Sequence, residues 1–560
     1  MKSIKINIIL ALILILQLTS CQKLTDLNVN PNAPVSVSSN YILTYVLLGT
    51  SANYASLGDV GSDVSGAMQY NQSGTNQSAP TLNQLLWTPS SWAAEYDALR
   101  NIELIHANAI SGGNKLLEAV SLVLRAFNFG LATDLFGDIP YSEALLAGKT
   151  GLYFPVYDKQ SSVYKGVLAD LKAADALLGD PTISNYGIST SADLLYKGSA
   201  SGWRKFANSL RMRYAMRLIN KKSDMAALGV DVIAEFNSAV PNAFTSTADE
   251  AFIPFLGTTN ITSYAGGLLR TANPNFLVKP CKTIVDSLKL KKDPRLYRWV
   301  LPVTSKWDAT VSGAKTYTNP YGEAQAVTYA IPTSMAGLDT SLFVGLAPNL
   351  AVIDLGNYNR GTAALPSPDN PEKRPWVSFL HGRYRLNSDP LVRMDLMSYS
   401  EVEFLLAEAA QRGGFVVSDP ETHFKNGILA SMKRWGITDG ASGFNFATFY
   451  SNPTVSYALA SNKLDRIINQ KWVALWLNVE SWFDWRRTGY PNLKTGPVTQ
   501  YGPALPLRFM YPLPNLDPAY LVNYKAAVAN LVPTNYVPSG QSADHSYSRM
   551  WLLQGTGFPY

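Results

Sequence analysis

Between Asn114 and Leu178 the residue pattern leaves the chain little choice of local structure. Leu116, Val120, Val123, Leu124, Phe127, Leu131 and Leu135 recur at intervals of three and four, which lays one apolar stripe along a helix. Gly137 follows the last stripe residue, where a helix end favours tolerance of positive φ, and Ile139-Pro140 blocks a restart. The period resumes at Val163, Val167, Leu171, Ala174 and Leu178, with Asp158 and Ser161 as candidate N-caps. Two stripes joined by a tight acidic loop bury each other. A helical hairpin is expected, with the remaining fold layered on it.

With 560 residues, 47% of them hydrophobic, the chain can bury one large core or two ordinary ones. Only 16% is charged, and the net +6 is spread without a basic run, which argues against nucleic acid as a partner. The 30 Tyr and 12 Trp are mostly expected in the core. A minority suits recognition, since a flat face with a polar tip fits sugars and peptides alike.

The first residues read as a targeting segment. Lys2 and Lys5 precede an apolar run from Ile6 to Leu16, broken only by Asn7 and too short to span a membrane comfortably. Leu18-Thr19-Ser20-Cys21 resembles the lipobox of a bacterial lipoprotein. Residues 1–20 are then a lipoprotein signal peptide, and Cys21 is the lipidated N-terminus, carrying diacylglyceryl and palmitate-type chains. Acyl burial contributes ~0.8 kcal/mol per methylene, so several chains give a lasting membrane anchor. Residues 21–39 form a flexible polar tether, kept irregular by Asn28, Asn30, Pro31, Asn32 and Pro34. Cys281 has no disulfide partner if Cys21 is acylated, and reads as a small buried side chain.

From Tyr41 to Leu48 an apolar segment opens the first helix of the mature domain. Gly58 to Leu86 is rich in amides, with Gln69-Tyr70-Asn71-Gln72, Asn76-Gln77 and Asn83-Gln84. Asn and Gln offer both donors and acceptors, so Tyr70, Asn71 and Trp87 are candidate ligand contacts. Tyr264, in Ser263-Tyr264-Ala265-Gly266-Gly267, is a fourth. Trp92 and Tyr96 fall at helical spacing and are expected in the core. Trp203, Phe206, Leu210, Tyr214 and Leu218 form one helix face, beside a ridge of Arg213 and Arg217 expected to make structural ion pairs. Asp249 to Ser388 lacks a sustained period except near Phe276 to Leu290, and reads as a loop-rich subdomain with short strands. Helical periods return at Leu396 to Arg412 and in a stripe from Leu464 to Val479.

Several of these segments resemble one family. Asp134-Leu135-Phe136-Gly137-Asp138-Ile139-Pro140-Tyr141, followed by Pro155-Val156-Tyr157-Asp158, is similar to the hallmark hairpin of the SusD/RagB outer-membrane nutrient-binding lipoproteins. So are the Trp203–Arg217 helix, Leu396–Arg412, Asn426–Gly436, Glu480–Pro491 and Arg508-Phe509-Met510-Tyr511-Pro512. Asp26-Leu27-Asn28-Val29-Asn30-Pro31 resembles the starch-binding-associated, SusD-like branch. The resemblance implies a mainly α fold. A tetratricopeptide-like helix-pair scaffold (about 40–235 and 390–495) would carry a loop-rich, short-strand part (about 236–389), all within one domain spanning 40–560. It also implies a non-catalytic, lipid-anchored protein on the outer membrane, facing the cell surface. Such a protein captures oligosaccharides and delivers them to a SusC-like, TonB-dependent transporter. Oligopeptide cargo is the first alternative, and a surface glycosidase the second.

Little else in the chain points to catalysis. His106, His381, His423 and His545 show no metal-ligand spacing, and neither a Gly-x-Ser-x-Gly elbow nor a phosphate loop occurs. No cofactor or metal is implied. Glu401, Glu403 and Glu408 are expected to pair with Arg486, Arg487 or Arg213, and Asp134 and Asp138 to cap and brace the hairpin loop.

Overall fold

The structure is a computed structural model that describes residues 38–74, 81–264, 278–361, 363, 374–497, 499, 501–513 and 517–560. The signal peptide, Cys21, nearly all of the tether, and Asn76 and Gln77 lie outside the described residues. The chain is mainly α-helical, with short two- and three-stranded sheets.

Five helices form the first half of the scaffold: α1 (Ser39–Gly58), α2 (Ala93–Ser111), α3 (Lys115–Phe136), α4 (Gln160–Leu178) and α5 (Ala200–Arg217). Each packs on the next, in chain order. The expected hairpin is α3 and α4, and every residue of the α3 stripe is buried. Asn114 Oδ1 accepts from Leu117 N–H (3.1 Å), and Gly137 ends the helix at φ 95°. α3 is long and apolar enough to cross a membrane, yet it is buried among its neighbours, as the core helix of a water-facing fold is.

The N-cap of α4 differs from expectation. Neither Asp158 nor Ser161 caps it. Antiparallel pairing of Ile139 with Asp158 and Pro140 with Tyr157 folds the loop back on itself. Asp138 Oδ1 then accepts from Gln160 N–H (2.8 Å) across the loop, while Asp158 Oδ2 accepts from the Tyr141 and Ser142 amides (3.0 and 2.8 Å). The loop acids thus brace the hairpin, with the roles redistributed by tertiary contact.

The central region carries β1 (Asn71–Ser73), β2 (Ala251–Pro254), β3 (Val278–Pro280), β4 (Val300–Leu301), β5 (Ser305–Trp307), β6 (Gly313–Thr318), β7 (Ala324–Ala330), β8 (Phe379–Leu380) and β9 (Arg393–Met397), with one longer helix, α6 (Lys282–Lys291). β1 pairs with β3, β4 with β8 and β2 with β9; β7 is flanked by β5 and β6. Trp307, Leu346, Leu355, Trp376 and Val377 make a small core separate from the main one.

The scaffold resumes with α7 (Tyr399–Arg412), α8 (Pro420–Arg434), α9 (Lys463–Ala474) and α10 (Glu480–Thr488). The Leu464–Val479 stripe is not one helix. Leu477 takes φ 59°, and Asn478 Oδ1 accepts from Glu480 N–H (2.9 Å) to start α10.

Buried charges join the two halves. Arg213 on α5 grips Glu401 on α7 with Nε and Nη2, both at 2.7 Å, and donates to the Leu396 carbonyl (2.8 Å). Arg217 pairs with Glu480 on α10 and lies 3.2 Å from Asp134 on α3. All five side chains are at most 4% exposed. Arg487 pairs with Glu408 and Asp484, and Lys471 reaches Asp484 at 2.7 Å. Glu403 instead pairs with His423 (2.7 Å). Burial alone would raise the Asp484 and Glu408 carboxyls, but Lys471 and Arg487 outweigh it at Asp484, and Arg487 and Arg412 at Glu408.

Three outcomes are expected in urea unfolding. Arg213→Met leaves Glu401 buried and unpaired and costs about 3–5 kcal/mol. Gly130→Ala places a Cβ 2.2 Å from the Tyr214 hydroxyl where α3 crosses α5, and costs about 1–3 kcal/mol. The depressed Asp484 and Glu408 carboxyls add stability above their unfolded pKa values, and this is lost as pH falls through their folded values. Arg487→Met therefore flattens the acid side of the stability–pH curve.

Candidate ligand-binding cleft

A cleft of about 580 Å³ opens in the loop-rich half, between the β4–β8 pair and the β6–β7 hairpin. Hairpin register builds one wall. Tyr317 on β6 pairs directly with Gln325 on β7, so both side chains lie on one face of the sheet. Tyr297, from the helical turn Leu296–Trp299, and Tyr317 both meet Phe343 edge-on, at 5.6 and 6.1 Å between centroids. Phe379 on β8 pairs with Leu301 on β4 and completes the apolar lining. Offset and edge-on packing of this kind fixes the rings before any ligand arrives.

Asn319, Glu323, Gln325 and Arg385 supply polar groups. Gln325 Nε2 donates to the Pro302 carbonyl (3.1 Å), while its Oε1 is buried and unpartnered. Asn319 Nδ2 donates to Glu323 (2.7 Å), and Asn319 Oδ1 accepts from the Tyr321 and Glu323 amides, closing the hairpin tip. Glu323 lies 3.0 Å from His381 Nε2 and within 3.6 Å of Arg298 and Arg383. His381 Nδ1 accepts from Arg383 Nε (3.1 Å), which leaves Nε2 as the donor to Glu323. Burial, then Arg383, holds the His381 pKa below its ordinary value, so the imidazole is neutral at pH 7. Burial alone would raise the Glu323 carboxyl, but hydrogen bonds from His381 and Asn319 outweigh it and keep it ionised. The hairpin tip is therefore pinned to the body by a charged clamp. Rigid aromatic edges beside amide, carboxylate and guanidinium groups suit a polyhydroxylated ligand with apolar ring faces.

The four candidates from the sequence lie elsewhere. Tyr70 is fully buried, stacks on Trp472 (5.5 Å) and donates to the carbonyls of Trp472 and Leu475 (2.6 and 3.0 Å). Asn71 is equally buried, and its Oδ1 accepts from Gly61 N–H and Ser65 Oγ (3.1 and 3.2 Å). Trp87 is packed between Phe509 and Trp482, at 4.9 and 5.2 Å. Tyr264 is buried and donates to Asp59 (2.6 Å) beside a second cavity of about 70 Å³. The amides around Tyr70 serve the chain itself. Gln69 donates to the Lys494 carbonyl, Gln72 accepts from Asn349 N–H, and Asn83 exchanges two hydrogen bonds with the Ser73 backbone. A buried irregular segment needs such side chains to satisfy its peptide groups.

Tyr297, Tyr317, Asn319, Phe343, Phe379 and Arg385 were not singled out as contacts by the sequence reading. One local signal was present. Gly313–Ala330 reads as two strands around Asn319-Pro320-Tyr321-Gly322, which places Tyr317 and Gln325 on one face. Cys281 is fully buried, and burial pushes its thiol up to about 12, so it is inert as a nucleophile. Among the described residues no group of three His, Cys, Asp or Glu is placed to hold a metal.

Comparison with known proteins places this geometry. The sequence matches, over residues 31–512, the SusD-like family described as starch-binding and associating with the outer membrane. No curated protein matches. Among solved structures, a SusD homologue from Bacteroides fragilis is 23% identical, with 92% of this chain and 99% of that one covered at TM-score 0.66. An outer-membrane protein of Bacteroides vulgatus described as involved in nutrient binding is 22% identical, covering 92% and 100% at TM-score 0.68. A chitin-binding protein is 23% identical, covering 92% and 99% at TM-score 0.65. On the extent of the family match, with these structures sharing its fold, the chain belongs to the SusD-like family of starch-binding-associated outer-membrane proteins.

Proposed function

We propose that the protein is a non-catalytic nutrient-binding lipoprotein. It captures oligosaccharides in the Tyr297–Tyr317–Phe343–Phe379 cleft and passes them to a SusC-like, TonB-dependent transporter. Acylated Cys21 anchors it to the outer membrane, facing the cell surface, and the tether ahead of α1, which starts at Ser39, gives it reach. The cleft carries this reading. Its lining joins aromatic rings to hydrogen-bonding side chains around a cavity of about 580 Å³. The family description, starch-binding and associating with the outer membrane, supports a glycan as the ligand. Among the described residues that line the cleft Glu323 is the only carboxylate, whereas a glycosidase needs two flanking the scissile bond. Tyr70, Asn71, Trp87 and Tyr264 then act at one remove, as packing that supports the scaffold.

Calorimetry of residues 22–560 against neutral and acidic oligosaccharides and mixed oligopeptides tests the reading, with product analysis of the same samples. Saturable glycan binding without product is expected. Tyr317→Ala should weaken it by about 1–2 kcal/mol, roughly 5- to 30-fold. Binding confined to peptides would move the cargo, and hydrolysis that purifies with the protein would overturn the non-catalytic role. Cys21→Ala should shift the protein from the membrane fraction to the soluble fraction, while leaving glycan affinity unchanged.

A further inference from the structure

The polar side chains of α8 fall into two groups. Beyond its first turn, Lys425 pairs with Glu421 (2.9 Å), Ser431 accepts from Arg295 (2.8 Å) and Arg434 donates to Asp395 (2.9 Å). Asn426 and Lys433 have no hydrogen-bond or ionic partner among the described residues. Asn426, Leu429, Ala430 and Lys433 recur at intervals of three and four, so they share one helix face. That face forms one wall of a groove of about 270 Å³, separate from the cleft. Thr245, Ser246 and Thr247, just ahead of β2, and Tyr399, at the start of α7, line the rest. These parts are fixed before any ligand arrives. Asp249 Oδ2 accepts from the Thr245 and Ser246 amides (2.8 and 3.0 Å). The Tyr399 amide donates to Glu250 (3.1 Å) and its hydroxyl donates to Glu403. The neighbouring carboxylates are already engaged, Asp249 by Lys205, Glu250 by Arg393 and Glu403 by His423. The Thr247 hydroxyl, the Asn426 amide and the Lys433 amine are left for a ligand.

Resting on the capture reading above, we propose that this groove is a second saccharide site, holding one pyranose ring of a polymer whose other segments reach the cleft. Its volume lies below the roughly 300 Å³ at which pockets for drug-sized ligands begin, so it takes a single ring and not an oligosaccharide. Tyr399, Leu429 and Ala430 offer apolar surface to a ring face. Lys433 donates, and Asn426 and Thr247 both donate and accept, which matches an array of ring hydroxyls. Lys433 is the only charged side chain among the lining residues described, and the other polar groups are neutral, which suits a neutral polyol better than a phosphate. One ring in an open groove is held weakly. Joined through the polymer, the second contact becomes intramolecular, so it strengthens retention of long chains and leaves the affinity of a short oligosaccharide for the cleft unchanged.

The experiment compares residues 22–560 with the double variant Asn426→Ala/Lys433→Ala. Maltotriose is titrated by calorimetry, and amylopectin is the matrix in affinity gel electrophoresis. The double variant is expected to keep its maltotriose affinity within about twofold and to lose on the order of tenfold in amylopectin affinity. Tyr317→Ala, in the cleft, should weaken both. Unchanged amylopectin retention in the double variant overturns the groove site and leaves glycan capture standing. An equal loss for both saccharides marks a general effect on the fold or the cleft and overturns it too. If the unsubstituted protein binds neither saccharide but does bind another glycan, the groove assignment falls alone. If it binds no glycan, the capture reading falls with it.

Discussion

Two arginines one turn apart on α5 hold the scaffold together. Arg213 and Arg217 meet Asp134, Glu401 and Glu480, carboxylates from three helices far apart in the chain. None of these charges can be buried alone, because desolvation of an unpaired ion exceeds what packing returns. The N-terminal helix row and the C-terminal helices are therefore obliged to close on each other at one place. Arg213 also holds the Leu396 carbonyl, at the end of β9. β9 pairs with β2, with Met397 opposite Ala251, so the segment between these strands is closed at its base beside the ion pairs. The loop-rich half is an insertion whose two ends are fixed by the scaffold's charged centre.

That arrangement explains how so much irregular chain can present a defined cleft. Its walls are short paired strands: β4 with the distant β8, and β6 with β7 in a local hairpin. The Asn319–Glu323 tip is tied to His381, Arg298 and Arg383, and the rings of Tyr297 and Tyr317 are braced by Phe343. A site held in this way loses little conformational entropy when a ligand arrives. The scaffold supplies rigidity, and the insertion supplies chemistry.

The legible parts of the fold were those written in local periodicity and in pairs of opposite charge. The α3–α4 hairpin, the helix ending at Gly413, the Arg213 and Arg217 ridge and the pairing of Arg213 with Glu401 could be read from spacing, whereas Glu480 as the partner of Arg217 could not. The α4 cap could not, because its acceptor, Asp138, lies 22 residues upstream and arrives only once the loop folds back. The break at Leu477 was hidden because the apolar stripe continues across it on both sides. The amide-rich segment around Tyr70 misled for a physical reason: the groups that make Asn and Gln good ligand contacts also make them good internal partners for buried peptide groups. Beyond the local Gly313–Ala330 hairpin, the cleft residues span Tyr297 to Arg385 and are brought together by pairings such as β4 with β8, for which local spacing gives no register.

The central claim is that a rigid helical scaffold carries ligand recognition in the cleft of its insertion. Amide hydrogen exchange of the protein with and without a saturating bound oligosaccharide tests it most directly. Ligand-dependent protection is predicted at Gly313–Ala330, Leu296–Thr304 and Phe379–Arg385, with α3, α4 and α5 unchanged. Protection centred instead on Asn71–Ser73, Trp87 or the helix row, with the Gly313–Ala330 hairpin unaffected, would contradict the account.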